Sequence, residues 1–136
     1  MREELQRRCE TIEEAYEFML AYAAQGLQGD GGTQTGGQLR EFLTRAATAL
    51  TGLGDLFESL IETGGLEPAG SYRAYGVVLD RDARDSLAAV DLVLAQPSIS
   101  SQLIDNLNAS IHLRALLTDL FLIDELLKST PVERTL

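Results

Sequence analysis

The sequence predicts an all-α protein, an up-down-up-down four-helix bundle. Apolar residues recur at spacings of three and four along four long segments, which is the periodicity of helices with one buried side. No two alternating segments are joined by hairpin turn residues, so a sheet is not indicated. The 136 residues are enough for one domain with its own hydrophobic core. We therefore expect a single domain over residues 1–136.

The first predicted helix spans about residues 2–25. Its apolar positions form one stripe: Leu5, Cys9, Ile12, Tyr16, Met19, Leu20 and Ala23. Glutamates occupy the opposite side. Residues 26–37 then break the periodicity with a run rich in glycine. This composition predicts a flexible loop.

The second and third predicted helices span about residues 38–63 and 71–96. Gly52 and Gly54 lie inside the second helix, where each glycine lowers helix stability, so we expect a kink or a close helix crossing there. Ser71 is a suitable N-cap for the third helix. That helix must end before Pro97, because the residue before a proline avoids the helical conformation.

The fourth predicted helix, about residues 98–129, is apolar on two nearly opposite sides. One arc contains Leu113, Leu116, Leu117 and Leu120. The other contains Ile104, Ile111, Ala115, Leu122 and Leu126. A surface helix needs only one apolar arc, so the pattern predicts a homodimer through this helix. We assign the four leucines of the first arc as the candidate apolar interface. The alternative is that this is the most buried helix of the bundle.

Two polar groupings are candidate sites. Asp105, Asn108, His112 and Asp119 fall on one side of the fourth predicted helix. This stripe could form a polar network at a helix interface or contact a ligand. Tyr72, Arg73 and Tyr75 open the third predicted helix and are residue types enriched at interfaces. The alternative is that the two tyrosines cap the bundle core.

Composition argues against several classes of function. One cysteine and one histidine are too few for a zinc site or a bundle di-iron site, so no metal or cofactor ligands are predicted. No nucleophile and base lie in reach of each other on the predicted helices. The net charge of −10 disfavours nucleic acid, and no apolar run is long enough to predict a membrane span. We expect a cytoplasmic protein, and the arginine-rich, lysine-poor composition suggests a bacterial one.

These observations predict a non-catalytic helical interaction protein, an adaptor, regulator or chaperone. It would bind a protein client through apolar helix faces and an acidic surface. The alternative is a small-molecule sensor or carrier with its ligand in the bundle or at the dimer seam, near Asn108 and His112. A third possibility is an enzyme that uses a buried carboxylate.

Overall fold

The computed structural model describes residues 1–129; residues 130–136, which the predicted domain includes, lie outside it. The described chain is all-α, as predicted, with six helices and no strand. The helices are α1 (Arg2–Ala23), α2 (Gln34–Leu50), α3 (Leu53–Gly64), α4 (Ala69–Leu94), α5 (Ser101–Ala109) and α6 (Ile111–Ser129). None of these six helices combines the length and the apolar character needed to cross a membrane.

The predicted second helix is divided into α2 and α3. Gly52, between them, has a left-handed backbone with φ of +71°, which a glycine adopts without strain. Two residues later Gly54 lies where α3 crosses α4, and a methyl group there would collide with the Asp80 side chain. The two glycines thus provide both expected features, a break at Gly52 and a close crossing at Gly54.

The predicted fourth helix is divided as well, into α5 and α6. Ser110, the residue between them, has an extended backbone with ψ of 143°. Neither glycine nor proline marks this position, so the sequence carried no signal for the break. The N-terminus of α5 is capped by Ser100, whose hydroxyl accepts a hydrogen bond from the backbone N–H of Leu103 at 3.0 Å.

The glycine-rich segment is anchored to the rest of the fold. Asp30, only 8% exposed, pairs with Arg40 of α2 and accepts a hydrogen bond from the backbone N–H of Ile99 at 2.7 Å. Helix α2 already begins at Gln34, four residues earlier than predicted, because Thr33 caps it through a 2.9 Å bond from the N–H of Gly36. The predicted loop is thus shorter and has a buried anchor.

Further bonds join this loop to the connection between α4 and α5. Tyr22 of α1 donates its hydroxyl hydrogen to the carbonyl of Ile99 at 2.7 Å. The Ser101 hydroxyl donates to the carbonyl of Tyr22 and accepts from the N–H of Leu27. We call the two connections, residues 24–33 and 95–100, the paired loops. Their buried polar groups satisfy one another, as buried backbone and side-chain groups must.

One apolar cluster holds the helices together. Helix α1 packs on α2 and α5, and α4 packs on α2, α3 and α6. Every helix contributes fully buried side chains to the cluster, among them Ile12, Leu43, Phe57, Leu79, Ile104 and Leu116. The shared core fixes the relative positions of α3, α4 and α6, which form the site described next.

Candidate functional site

Helix α6 is apolar on two sides, and the structure shows which one faces the core. Leu113, Leu116, Leu117 and Leu120 are at most 7% exposed within the single chain. These four leucines pack into the core of their own chain. Their burial there corrects the prediction that they form the apolar interface with a partner. The opposite side is the exposed one, with Ile111 at 74% and Leu122 at 46%. We call Ile111, Ala115, Leu122 and Leu126 the exposed arc.

An apolar groove adjoins the exposed arc. It lies between α4 and α6, has a volume of about 270 Å³, and is lined in part by Phe57 of α3. Its other lining residues are Pro68, Ser71, Tyr72, Tyr75, Leu122, Ile123 and Leu126. We call it the α4–α6 groove. An exposed concave surface of this composition is typical of a site for an apolar side chain of a partner.

The structure separates the three residues of the predicted contact cluster. Tyr72 and Tyr75 line the α4–α6 groove, as half-buried side chains. Arg73, between them in sequence, instead lines a cavity between α3 and α4 with Asp55 and Glu58. Successive helical residues point about 100° apart, so neighbours in sequence seldom share a site.

A buried acid cluster lies behind the groove. The Tyr75 hydroxyl donates a hydrogen bond of 2.6 Å to Oδ1 of Asp119, which is only 4% exposed. Asp82, on α4, is close enough for its carboxyl to act on the charge of Asp119. Oδ2 of Asp119 is buried and receives no hydrogen bond from any described donor group. We call Tyr75, Asp82 and Asp119 the acid cluster.

The acid cluster favours a protonated carboxyl. Burial raises the pKa of Asp119 to about 7, and the neighbouring Asp82 acts in the same direction, while the Tyr75 hydroxyl opposes them. Burial, followed by the hydrogen bond to Asp119, raises the pKa of Tyr75 to about 12. The tyrosine therefore keeps its proton at neutral pH, and the carboxyl of Asp119 is the group of the cluster that gains or loses a proton there.

The predicted polar stripe does not form one surface. Asn108 and Asp119 are buried, whereas Asp105 and His112 are exposed. The break at Ser110 changes the phase between α5 and α6, so residues spaced for one continuous helix no longer share a side. Both ends of the Asn108 amide are buried without a hydrogen-bonding partner among the described residues. Asn108 and His112, the residues predicted to lie near a ligand, therefore differ in their surroundings, one buried and the other exposed.

Sequence analysis did not single out Asp82, which lies in a run of charged residues on α4. Its neighbours lie on the surface, where Arg84 pairs with Asp80 at 2.9 Å. Asp82 comes seven residues after Tyr75, two helical turns along the same side of α4. That spacing is enough to predict that Asp82 lies on the same side of α4 as Tyr75.

Other reactive groups give no further site. Cys9 is partly buried, and burial together with Glu13 raises the pKa of its thiol to about 12, so the nucleophilic thiolate is scarce at neutral pH. Within residues 1–129 no three histidine, cysteine or acidic side chains are grouped to hold a metal ion. The arrangement can receive apolar side chains in the α4–α6 groove and hold a proton behind it. Comparison of the chain with protein-family models, curated proteins and solved structures finds no match in any of the three.

Proposed function

We propose that this chain is a non-catalytic interaction protein that binds a partner helix along the exposed arc of α6, and that this partner is a second copy of the chain. One observation carries the proposal: α6 is apolar on two sides, and the fold covers only one of them. The other side continues into the apolar α4–α6 groove. We also propose that the six helices form four units in up-down order, in which α2 and α3 together make one unit and α5 and α6 together make another.

The exposed arc is apolar enough to support association. Ile111 and Leu122 present branched aliphatic side chains that are 74% and 46% exposed. Burying apolar surface yields roughly 25 cal/mol per Å², so a few such side chains supply several kcal/mol of gross association energy. Solvent exposure of this much aliphatic surface on one helix favours a binding role over a solely structural one.

The arc is also complementary to itself. When two copies of α6 pack antiparallel about a two-fold axis near Thr118, Ala115 of one copy lies opposite Leu122 of the other, so a small residue meets a large one. Arg114 and Glu125 flank the arc on the same side of the helix. The same alignment brings Arg114 of one copy near Glu125 of the other, which gives two ion pairs across the axis.

The proposal is tested by the mass of the protein in solution. Sedimentation equilibrium should give twice 14.8 kDa for the wild type and a monomer for Leu122→Asp, because the aspartate would be buried in the interface. Leu92→Asp is the matched control, since Leu92 is 66% exposed on the C-terminal part of α4 and lies outside the groove. A monomeric wild type, or an equal loss of dimer in the control, would contradict the proposal.

A charge exchange tests the antiparallel alignment. Arg114→Glu alone should weaken the dimer severalfold, since it places like charges opposite each other. Adding Glu125→Arg to the same chain should restore the affinity. If the double variant dimerises no better than Arg114→Glu, the two helices are not aligned in this way.

A protein client remains part of the proposal. The net charge of −10 suits a client with a basic surface, which the dimer would approach from its acid-rich sides. The apolar lining of the α4–α6 groove also supports a second function, the carriage of a small apolar ligand. Native mass spectrometry distinguishes the dimer from the carrier. A carrier would be a monomer with the added mass of its ligand, and Leu122→Asp would remove that added mass.

A further inference from the structure

We propose that a groove between α1 and α2 binds a small phosphate-bearing molecule, and that Arg7, Arg8 and Arg45 hold its phosphate oxygens. The groove has a volume of about 470 Å³. Its other lining residues are Glu4, Thr11, Thr44, Thr48 and Ala49. We call it the α1–α2 groove. Every lining residue belongs to α1 or α2, so the site does not depend on the proposed dimer through α6.

The α1–α2 groove concentrates positive charge in an acidic protein. The whole chain carries 11 basic residues against 21 acidic ones, yet three arginines and only one glutamate line this groove. That glutamate, Glu4, contacts both Arg7 at 3.7 Å and Arg8 at 2.7 Å. One carboxylate cannot neutralise three guanidinium groups. The groove therefore keeps an excess of positive charge that attracts anions locally.

Arg45 is the arginine of the groove that forms no ion pair with any residue of 1–129. Glu41 precedes it by four residues, the usual spacing for an ion pair on a helix. The Arg45 guanidinium instead lies over the Phe42 ring, 4.5 Å from its centroid. Phe42 is stacked on Phe18 of α1, with ring centroids 4.6 Å apart. Packing thus positions the guanidinium and leaves its N–H groups for a ligand.

Arg8 is held in place by contacts with both helices. Its Nε and Nη2 donate to the Glu4 carboxylate at 3.2 and 2.7 Å, and its Nη1 donates to the carbonyl of Thr51 at 2.7 Å. These bonds use three of the five N–H groups of a guanidinium, so two remain for a ligand. The planar guanidinium matches the paired oxygens of a phosphate. Because Arg8 and Arg45 are already positioned, binding costs less side-chain entropy.

The size and surroundings of the groove favour a small molecule over a nucleic acid. Its volume of about 470 Å³ is in the range of ordinary ligand pockets. A nucleic acid needs cations along an extended stretch of backbone. Glu10, Glu14 and Glu17 of α1 are exposed outside the groove, and they would repel the further phosphates of a longer strand.

An NMR titration of the full chain with inorganic pyrophosphate tests the site, with sodium chloride adjusted to hold the ionic strength constant. The backbone amide shifts should saturate and be confined to the residues that line the α1–α2 groove. Arg45→Gln should weaken binding about tenfold, because it removes a charged hydrogen-bond donor. Arg7→Gln should also weaken it. Both side chains are exposed, so both variants should fold. The matched control is Arg81→Gln, at an exposed position of α4, which should bind like the wild type.

Three results would overturn the proposal. Shifts that never saturate, or that are equally large around Arg81, would mean that anions only screen the surface charge. Unchanged affinity in both Arg45→Gln and Arg7→Gln would exclude the assigned arginines. A glutamate oligopeptide that binds to the α1–α2 groove when pyrophosphate does not would show that the groove receives an acidic protein segment instead of a small molecule.

Discussion

Two buried aspartates show how differently one residue type behaves at two places in this fold. Asp30, in the paired loops, faces the guanidinium of Arg40 and the N–H of Ile99, and the hydrogen bond from Arg40 is the main reason that its pKa is lowered. Asp119, behind the α4–α6 groove, faces a tyrosine hydroxyl and another carboxyl, and its pKa is raised. The exposed fractions of the two residues are nearly equal, at 8% and 4%.

The difference shows that a low exposed fraction does not by itself decide the charge of a buried acid, because burial raises the pKa of both aspartates but at Asp30 the Arg40 hydrogen bond outweighs it. The donors around Asp30 favour its charged form more than water does, so the carboxylate stays charged while it joins the paired loops. At Asp119 burial favours the neutral form, and the one donor, the Tyr75 hydroxyl, does not outweigh it. One region is consequently built for stability across pH, whereas the other changes its charge near neutrality.

The largest effect that we expect comes from breaking the paired loops at Asp30. Asp30→Ala removes the partner of Arg40 and the acceptor of the Ile99 N–H, and should lower the free energy of unfolding by about 3 kcal/mol. Urea unfolding at neutral pH measures it. Asp85→Ala, at an exposed position of α4, is the control and should change it by less than about 0.5 kcal/mol.

Hydrogen exchange would localise the loss. In Asp30→Ala the amides of the paired loops should exchange faster, while those around the α4–α6 groove keep their protection. Equal acceleration in both regions would show that the two ends of the molecule are not independent. The contrast between Asp30 and Asp119 would then no longer separate two regions.

A second variant tests whether the glycine-rich segment is anchored. A methyl group on Gly36 would collide with the backbone carbonyl of Asp30, whereas one on Gly31 would meet nothing within 4 Å. We expect Gly36→Ala to destabilise the protein by about 2 kcal/mol and Gly31→Ala to be neutral within about 0.5 kcal/mol. Thermal unfolding of the two variants compares the same substitution at two positions of one segment. If Gly36→Ala is neutral, the segment can shift to accommodate the methyl group and is not firmly anchored.

The smallest effect concerns Asp119 and has a defined sign. Its pKa is higher in the fold than in the unfolded chain, so its contribution to stability is fully present below the unfolded pKa and is lost as the pH rises through about 7. Asp119→Asn cannot lose a proton. It should therefore raise the free energy of unfolding by about 1 kcal/mol near pH 8, a few degrees in Tm, and change it little near pH 5.

The control for this prediction is Asp105→Asn, which removes the same charge from an exposed position of α5. It should shift Tm equally little at both pH values. The prediction fails if Asp119→Asn is destabilising near pH 8, because the charged form would then be the one that the fold prefers. All variants need the same protein concentration, since association also raises Tm.

The sequence predicted the helical class and most element positions, because apolar periodicity records which side of a helix is covered. It also marked the break at Gly52, where only glycine adopts the backbone conformation easily. The break at Ser110 carried no such signal, since its extended conformation is open to any residue. That hidden break placed Asn108 and His112 in different surroundings.

The site was predicted in part. Both apolar arcs of α6 are present in the sequence, but periodicity alone does not say which arc faces the core, and Leu113 and Leu116 are the buried ones. Tyr75 and Asp119 were each singled out, yet their contact joins residues 44 positions apart in the chain. Only the packing of α4 on α6 reveals that pairing.

The burial of Cys9 has a practical consequence for every experiment above. Its thiol is the only one in the chain and is held almost entirely in the protonated form. A new cysteine at an exposed position such as Arg81 would therefore react with maleimides far faster than Cys9. Fluorophores or spin labels can be attached at chosen points while the native cysteine stays in place. Distances between the two copies of a dimer then become directly measurable.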